Sequence, residues 1–253
     1  MSNNTNVTLN DKFTLPSRGK VQGIPATLTM RAMSLLDEKK RLASSGIRGL
    51  VNLINSCIIE PEGVDVGNFL RFDLDYAMIA LRIISHGPLY RVAVTCPHCG
   101  KKHEEDLNLS EIPCKEVSDD FSPVFEMQLP IKGDTLKVHL LTFNELEKLD
   151  EEAQRVLSKF PNYEGNPADV LEYIYKINEV NGEKLPYPAL KQYIENLSAA
   201  DSIYFDQMYE EKMGSYGLDT HLVFTCDSCK GTFERMLPIN DEFFRPQYYT
   251  TQR

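Results

Sequence analysis

The stretch Val92-Ala93-Val94-Thr95-Cys96-Pro97-His98-Cys99-Gly100-Lys101-Lys102-His103-Glu104 recurs later as Leu222-Val223-Phe224-Thr225-Cys226-Asp227-Ser228-Cys229-Lys230-Gly231-Thr232-Phe233-Glu234. The cysteines, the closing glutamates and the leucines Leu107 and Leu237 all stand 130 positions apart, and Gly87 with Gly217 extends the match upstream. A constant offset over so many positions marks an internal repeat. Each copy reads as an alternating β-like run, a Cys-x-x-Cys turn, a small or flexible residue and a second alternating run, the layout of a zinc knuckle. Two residues between the cysteines let both thiolates face one side of the turn, so one knuckle supplies half of a tetrahedral site and two complete it. The expected ligands are Cys96, Cys99, Cys226 and Cys229 around one Zn²⁺ per chain, each sulfur about 2.3 Å from the metal. Four thiolates leave no open position for water or substrate, so the expected role is structural.

Two other readings of these cysteines stay open at the level of sequence. Cys-Pro-His-Cys also occurs at the active site of thioredoxin-fold oxidants, where a helix N-terminus lowers a thiolate pKa. Here it leads into an alternating run instead of an apolar helix, and Cys-Asp-Ser-Cys in the second copy has no such resemblance. Unliganded thiols are the third reading. The gap between the pairs is far wider than in a compact zinc ribbon, but the duplicated flanks support a shared site. Of the other cysteines, Cys57 lies in an apolar run and reads as a small core residue, and Cys114 follows Pro113 as a weaker substitute ligand.

The chain has 253 residues, 42% of them hydrophobic and 25% charged, enough for one large domain or two small ones. Its net charge of −10 argues against non-specific binding to nucleic acid or anionic membranes, which relies on excess Lys and Arg. No stretch has the length of a membrane span and the start is polar, so the expectation is a chain made and kept in the cytosol, or in something assembled there. A reducing compartment also favours metal ligation over disulfides.

The pattern predicts an α+β fold built from a duplicated unit of short β-hairpins and helices. The expected division is an arm over 1–12, a first unit over 13–110 with its knuckle at 92–109, and an acidic linker over 111–123. A second unit covers 124–239 with its knuckle at 222–239, and a tail covers 240–253. The second unit reopens the opening pattern, because Leu129-Pro130-Ile131-Lys132-Gly133 echoes Leu15-Pro16-Ser17-Arg18-Gly19. Strands are expected at 26–31 and 136–140, and helices capped by Ser34, by Asp73 or Asp75, and by Asn144. Further helices are expected at 47–59, from Pro167 through Ile177, at 188–197 and at 199–213. The aromatics Phe243, Phe244, Tyr248 and Tyr249 in the tail read as either folded back on the core or presented to a partner.

Nothing in the sequence points to catalysis. There is no Gly-x-Ser-x-Gly, phosphate-binding loop, dinucleotide fingerprint or His-Glu-x-x-His, so no catalytic or cofactor-binding residues are assigned. Adjacent acidic pairs such as Glu151-Glu152 diverge on a helix and read as solvated surface. His98, His103 and His221 flank the knuckles, where they could support the thiolates or face solvent.

With these residues in place, the chain resembles the baseplate hub proteins of T-even-type contractile-tailed bacteriophages. The resemblance rests on Leu15-Pro16-Ser17-Arg18-Gly19, the Asp37-Glu38-Lys39 helix, Asp75-Tyr76 through Leu81-Arg82-Ile83 to Gly87, and Thr95-Cys96-Pro97-His98-Cys99-Gly100. It covers most of the first half, and the second half through the repeat. It implies a non-enzymatic structural or assembly component of the virion's tail baseplate, assembled in the host cytoplasm. The implied partners are other baseplate and tail proteins, with no nucleic acid, membrane or small-molecule substrate. A tail-assembly chaperone that leaves before maturation and a zinc-containing nucleic-acid or transcription adaptor are the alternatives.

Overall fold

Two Leu-Pro-x-(Arg/Lys)-Gly loops and the aspartates that hold them frame the molecule. In the computed structural model, which describes residues 10–43, 46–237 and 241–244, the first half runs β1 (Asn10–Thr14), β2 (Thr27–Arg31), α1 (Leu35–Ala43), α2 (Gly46–Cys57) and β3 (Ile58–Glu60). It continues through a 3-10 turn at Val66–Asn68 to α3 (Arg71–His86), β4 (Leu89–Thr95), β5 (Lys102–Asn108) and the short β6 (Cys114–Lys115). The second half runs β7 (Val124–Gln128), β8 (Thr135–His139), α4 (Phe143–Lys159), α5 (Pro167–Lys176) and β9 (Ile177–Val180). After these come α6 (Tyr187–Glu195), α7 (Ala199–Gly214), β10 (Gly217–Leu218), β11 (His221–Thr225), β12 (Thr232–Met236) and a 3-10 turn at Asp241–Phe244.

The mixture of helices with small antiparallel sheets is an α+β fold. β1-β2-β3 and β7-β8-β9 form two antiparallel sheets of the same order, each with a register shift in the same place, at Thr29/Met30 and at Lys137/Val138. Alternation buries Leu28 and Met30 in one sheet and Leu136 and Val138 in the other. The β4–β5 and β11–β12 ribbons end each half.

The loops explain why the halves match. The backbone N–H of Ser17 donates to Asp73 Oδ1 at 2.9 Å, and the N–H of Ile131 donates to Asp201 Oδ1 at 2.9 Å. Each aspartate sits in the first turn of a 16-residue helix, α3 or α7. The second copy adds a cap: Ser198 Oγ accepts from the Asp201 backbone N–H at 3.0 Å and donates to Asp201 Oδ2 at 2.8 Å. Burial works against ionisation of Asp201, but the bonds from Ile131 and Ser198 outweigh it and hold the carboxyl below its usual range. In the first copy Leu70 occupies the cap position. Asp73 Oδ2 and Ser17 Oγ are therefore buried without a hydrogen-bond partner among the described residues. Burial of Asp73 outweighs the bond from the Ser17 backbone N–H that favours its carboxylate and pushes it up to about 6.

The sign of the pH effect follows. Between about pH 4 and pH 6 the folded chain holds a proton on Asp73 that the unfolded chain has lost, so this group's contribution to stability falls as pH rises through that window. Asp73→Asn keeps an acceptor for Ser17 and offers its amide to the Ser17 hydroxyl. It should stabilise the protein by about 1–3 kcal/mol at pH 8 and change little at pH 4. Urea titrations of both proteins at the two pH values check this, and equal midpoints at pH 8 would reject it.

Several expectations need correction. The stretch expected as an arm contains the start of β1, because Asn10 to Lys12 pair with Arg31 to Thr29. α2 stops at Cys57, and Ile58-Ile59 enters β3; likewise α5 stops at Lys176 and Ile177 opens β9. Neither Asp73 nor Asp75 caps α3, whose cap residue Leu70 makes no side-chain bond. Thr142, not Asn144, caps α4, through a capping box with Glu145. Asn144 instead reaches the first half, donating to Asp65 Oδ2 and Asn68 Oδ1 at 2.9 Å each. The extra length of the second half is a whole helix, α6, together with a longer α4, where the first half has only a 3-10 turn. Of the two readings of the tail aromatics, the first holds for Phe243 and Phe244, which fold back onto the core, with Phe243 against Tyr90. Tyr248 and Tyr249 lie outside the described residues.

The halves share one core. Its main buried cluster draws on both, from Leu15 and Leu28 to Leu136, Phe205 and Phe224. β6 pairs antiparallel with β10, and Phe72, Phe121 and Tyr216 meet edge to face. Gly217, at φ +86°, fits there because a Cβ would come within 2.6 Å of the Phe72 Cβ.

Candidate metal centre

β4 and β5 pair in full register from Leu89↔Asn108 to Thr95↔Lys102, and β11 and β12 from His221↔Met236 to Thr225↔Thr232. Tyr90, Val92 and Val94 face inward on the first ribbon, and Phe224 and Phe233 stack inward on the second. Packing therefore fixes both ribbons, and with them the turns at their tips. In the first turn Cys96 N–H donates to Lys101 O and Gly100 N–H to Cys96 O, both at 2.9 Å. In the second, Cys226 N–H donates to Gly231 O at 2.9 Å and Lys230 N–H to Cys226 O at 2.8 Å. The turn needs a left-handed residue after its second cysteine. Gly100 supplies it at φ +71° and Lys230 at φ +59°, so the glycine of the second copy has moved one place on.

These turns bring the four cysteines together. All four Sγ atoms lie within 4.8 Å of one another. Cys96 Sγ is 3.7 Å from Cys229 Sγ and Cys99 Sγ is 3.6 Å from Cys226 Sγ, each pair crossing between the halves. Sulfurs about 2.3 Å from a tetrahedral metal stand roughly 3.8 Å apart, so this spacing suits a metal and is far too long for a disulfide. None of the four is joined in a disulfide. Cys96 and Cys226 are buried while Cys99 and Cys229 face outward. The backbone N–H groups of Cys229 and Ser228 point at Cys226 Sγ and favour its thiolate against the effect of burial. The donor set, its spacing and these amides fit a metal that binds thiolates, with no site left for substrate.

The histidines divide. His98 Nε2 lies 3.0 Å from Thr232 O, and since a carbonyl only accepts, the ring donates from Nε2 across to the other knuckle. Its ring lies over Gly231, where a Cβ would come within 2.8 Å of His98 Cδ2 and 3.4 Å of Cys229 Sγ. His103 packs edge-on against Phe233, with ring centres 6.0 Å apart. His221 is exposed, and its backbone N–H donates to Asp219 Oδ1. Cys114 lies on β6 away from the cluster, and Cys57 is buried at the end of α2. The pairing of His98 with Gly231 escaped the sequence, whose only signal was a glycine displaced by one position between the copies.

Gly231→Ala should cost about 1–2 kcal/mol, because the methyl group displaces His98. Removing the ring with His98→Ala should relieve most of that cost, so the double variant falls short of the sum of the singles. Thermal unfolding of the three variants tests the coupling, and strict additivity would deny it.

Among the described residues no helix is long and apolar enough to cross a membrane. Comparisons with curated proteins and with solved structures give no match. A family model described as "T4 bacteriophage base plate protein" matches residues 8–245, a span that takes in both loops, both knuckles and all four clustered cysteines. The chain therefore belongs to the T4 bacteriophage base plate protein family.

Proposed function

We propose that this protein is a structural component of the hub region of a contractile-tail baseplate, and that one zinc ion bound by Cys96, Cys99, Cys226 and Cys229 clamps its two halves into a rigid block. The convergence of two thiolates from each half carries this reading. A cross-link between distant parts of one chain fixes their geometry without any chemistry at the metal. Family membership supplies the setting, a phage tail and its other proteins as partners. The net charge of −10 favours a role in protein–protein assembly over non-specific contact with nucleic acid or anionic membranes.

Quantitative mass spectrometry of purified tails and of assembly intermediates tests the placement. The reading expects this chain at a fixed stoichiometry in both. Presence in intermediates alone would make it an assembly chaperone, and absence from both would remove it from the baseplate.

A further inference from the structure

Helix α1 is inside out. Asp37, Glu38 and Arg41 face the body of the protein: Asp37 is 3% exposed, and it accepts from Arg31 Nη1 at 2.6 Å, Ser34 Oγ at 2.6 Å and Ser56 Oγ at 3.1 Å. Glu38 and Arg41 pair at 3.1 Å, and the Arg41 guanidinium lies 5.9 Å from the Phe244 ring centre. Its leucines face solvent instead, with Leu35 at 72%, Leu36 at 60% and Leu42 at 49% exposed, and Ile47 at the start of α2 adds a fourth apolar side chain at 54%. The duplication provides the control. α4, which follows β8 as α1 follows β2, buries Phe143, Leu149 and Ala153 in the ordinary way. A helix held by a part-buried ion pair so as to expose its leucines has the character of a contact surface.

We propose that the leucine face of α1 docks an acidic, apolar helical segment of a different tail protein; that the partner is a tail protein rests on the baseplate reading. Charge selects this occupant. Lys39 is exposed between the leucines, on a spacing that sets Leu35, Lys39 and Leu42 along one stripe. The carboxylates of α1 are turned inward, so the face is cationic on a chain of net charge −10. A second copy laid on this face would set lysines near lysines. The chain's own residues 245–253 carry Arg245 and Arg253 and no Asp or Glu, so they complement it no better. An acidic segment with leucine-like residues matches both the charge and the apolar stripe.

The test places a photoreactive phenylalanine analogue at Leu36 in the full chain made during infection, and identifies the cross-linked peptide by mass spectrometry. The proposal expects one segment of another tail protein, apolar with an excess of Asp and Glu. Cross-linking to a second copy, to residues 245–253 of the same chain or to nothing would overturn it. In parallel, the Leu35→Ser/Leu36→Ser variant should melt within about 2 °C of the parent, since both side chains are exposed. It should still enter the tail about tenfold less well. Normal incorporation of this variant would overturn the docking surface while leaving the baseplate reading intact, whereas absence of the unaltered chain from tails would reject the baseplate reading itself.

Discussion

Cys226→Ser is expected to lose the metal and to destabilise the protein by on the order of 5 kcal/mol, because binding energy at a structural site contributes directly to folding. The size reflects where Cys226 sits. It is buried at the tip of β11, receives two backbone N–H groups and faces Cys99 across the halves, so a serine leaves those amides and the remaining thiolates without their common partner. Chelation of the unaltered protein should reproduce most of the effect. The shared core makes partial unfolding the expected outcome, with the β4–β5 and β11–β12 ribbons opening first. Hydrogen exchange on chelated protein would locate the opening, and protection unchanged in both ribbons would contradict it.

Arg82→Ala should cost about 3–5 kcal/mol and weaken the metal site as a second consequence. Arg82 is the largest of the fully buried side chains among the described residues. Its guanidinium donates to Gly87 O at 2.8 Å and Leu89 O at 3.2 Å, and lies 5.9 Å from the ring centres of Tyr90 and Phe243. It therefore sets the turn by which α3 hands the chain to β4, and so the approach of the first knuckle. Alanine leaves a cavity and two carbonyls without their donor. Arg82→Lys should recover only part of the loss, because one ammonium replaces a planar fork of donors. Denaturant unfolding measures both, and a cost below about 1 kcal/mol for the alanine variant would contradict the assignment.

The knuckles could be read from sequence because turn chemistry is local: Cys-x-x-Cys between alternating runs has few other solutions, and repetition confirmed the spacing. The loops at Leu15 and Leu129 were equally visible, but the aspartates that hold them, 56 residues beyond Ser17 in one half and 70 beyond Ile131 in the other, were not. Short apolar runs were the main source of error. Ile58-Ile59 and Ile177 extend a helical pattern as well as they start a strand, and only their pairing with β2 and β8 decides. Asn144 looked like a cap because its side chain suits one, whereas Thr142 with Glu145 satisfies the helix end and frees Asn144 to bridge the halves. The reversed face of α1 runs against the rule that leucines turn inward, so hydrophobic patterning could only misplace it.

The most direct test of the central claim, that one zinc ion joins the halves through four cysteines, is metal analysis with X-ray absorption on protein purified under mild reduction without added zinc. The account predicts about one zinc per chain bound by four sulfurs at about 2.3 Å. Protein that is folded and metal-free, with Cys96 and Cys99 joined in a disulfide, would contradict it.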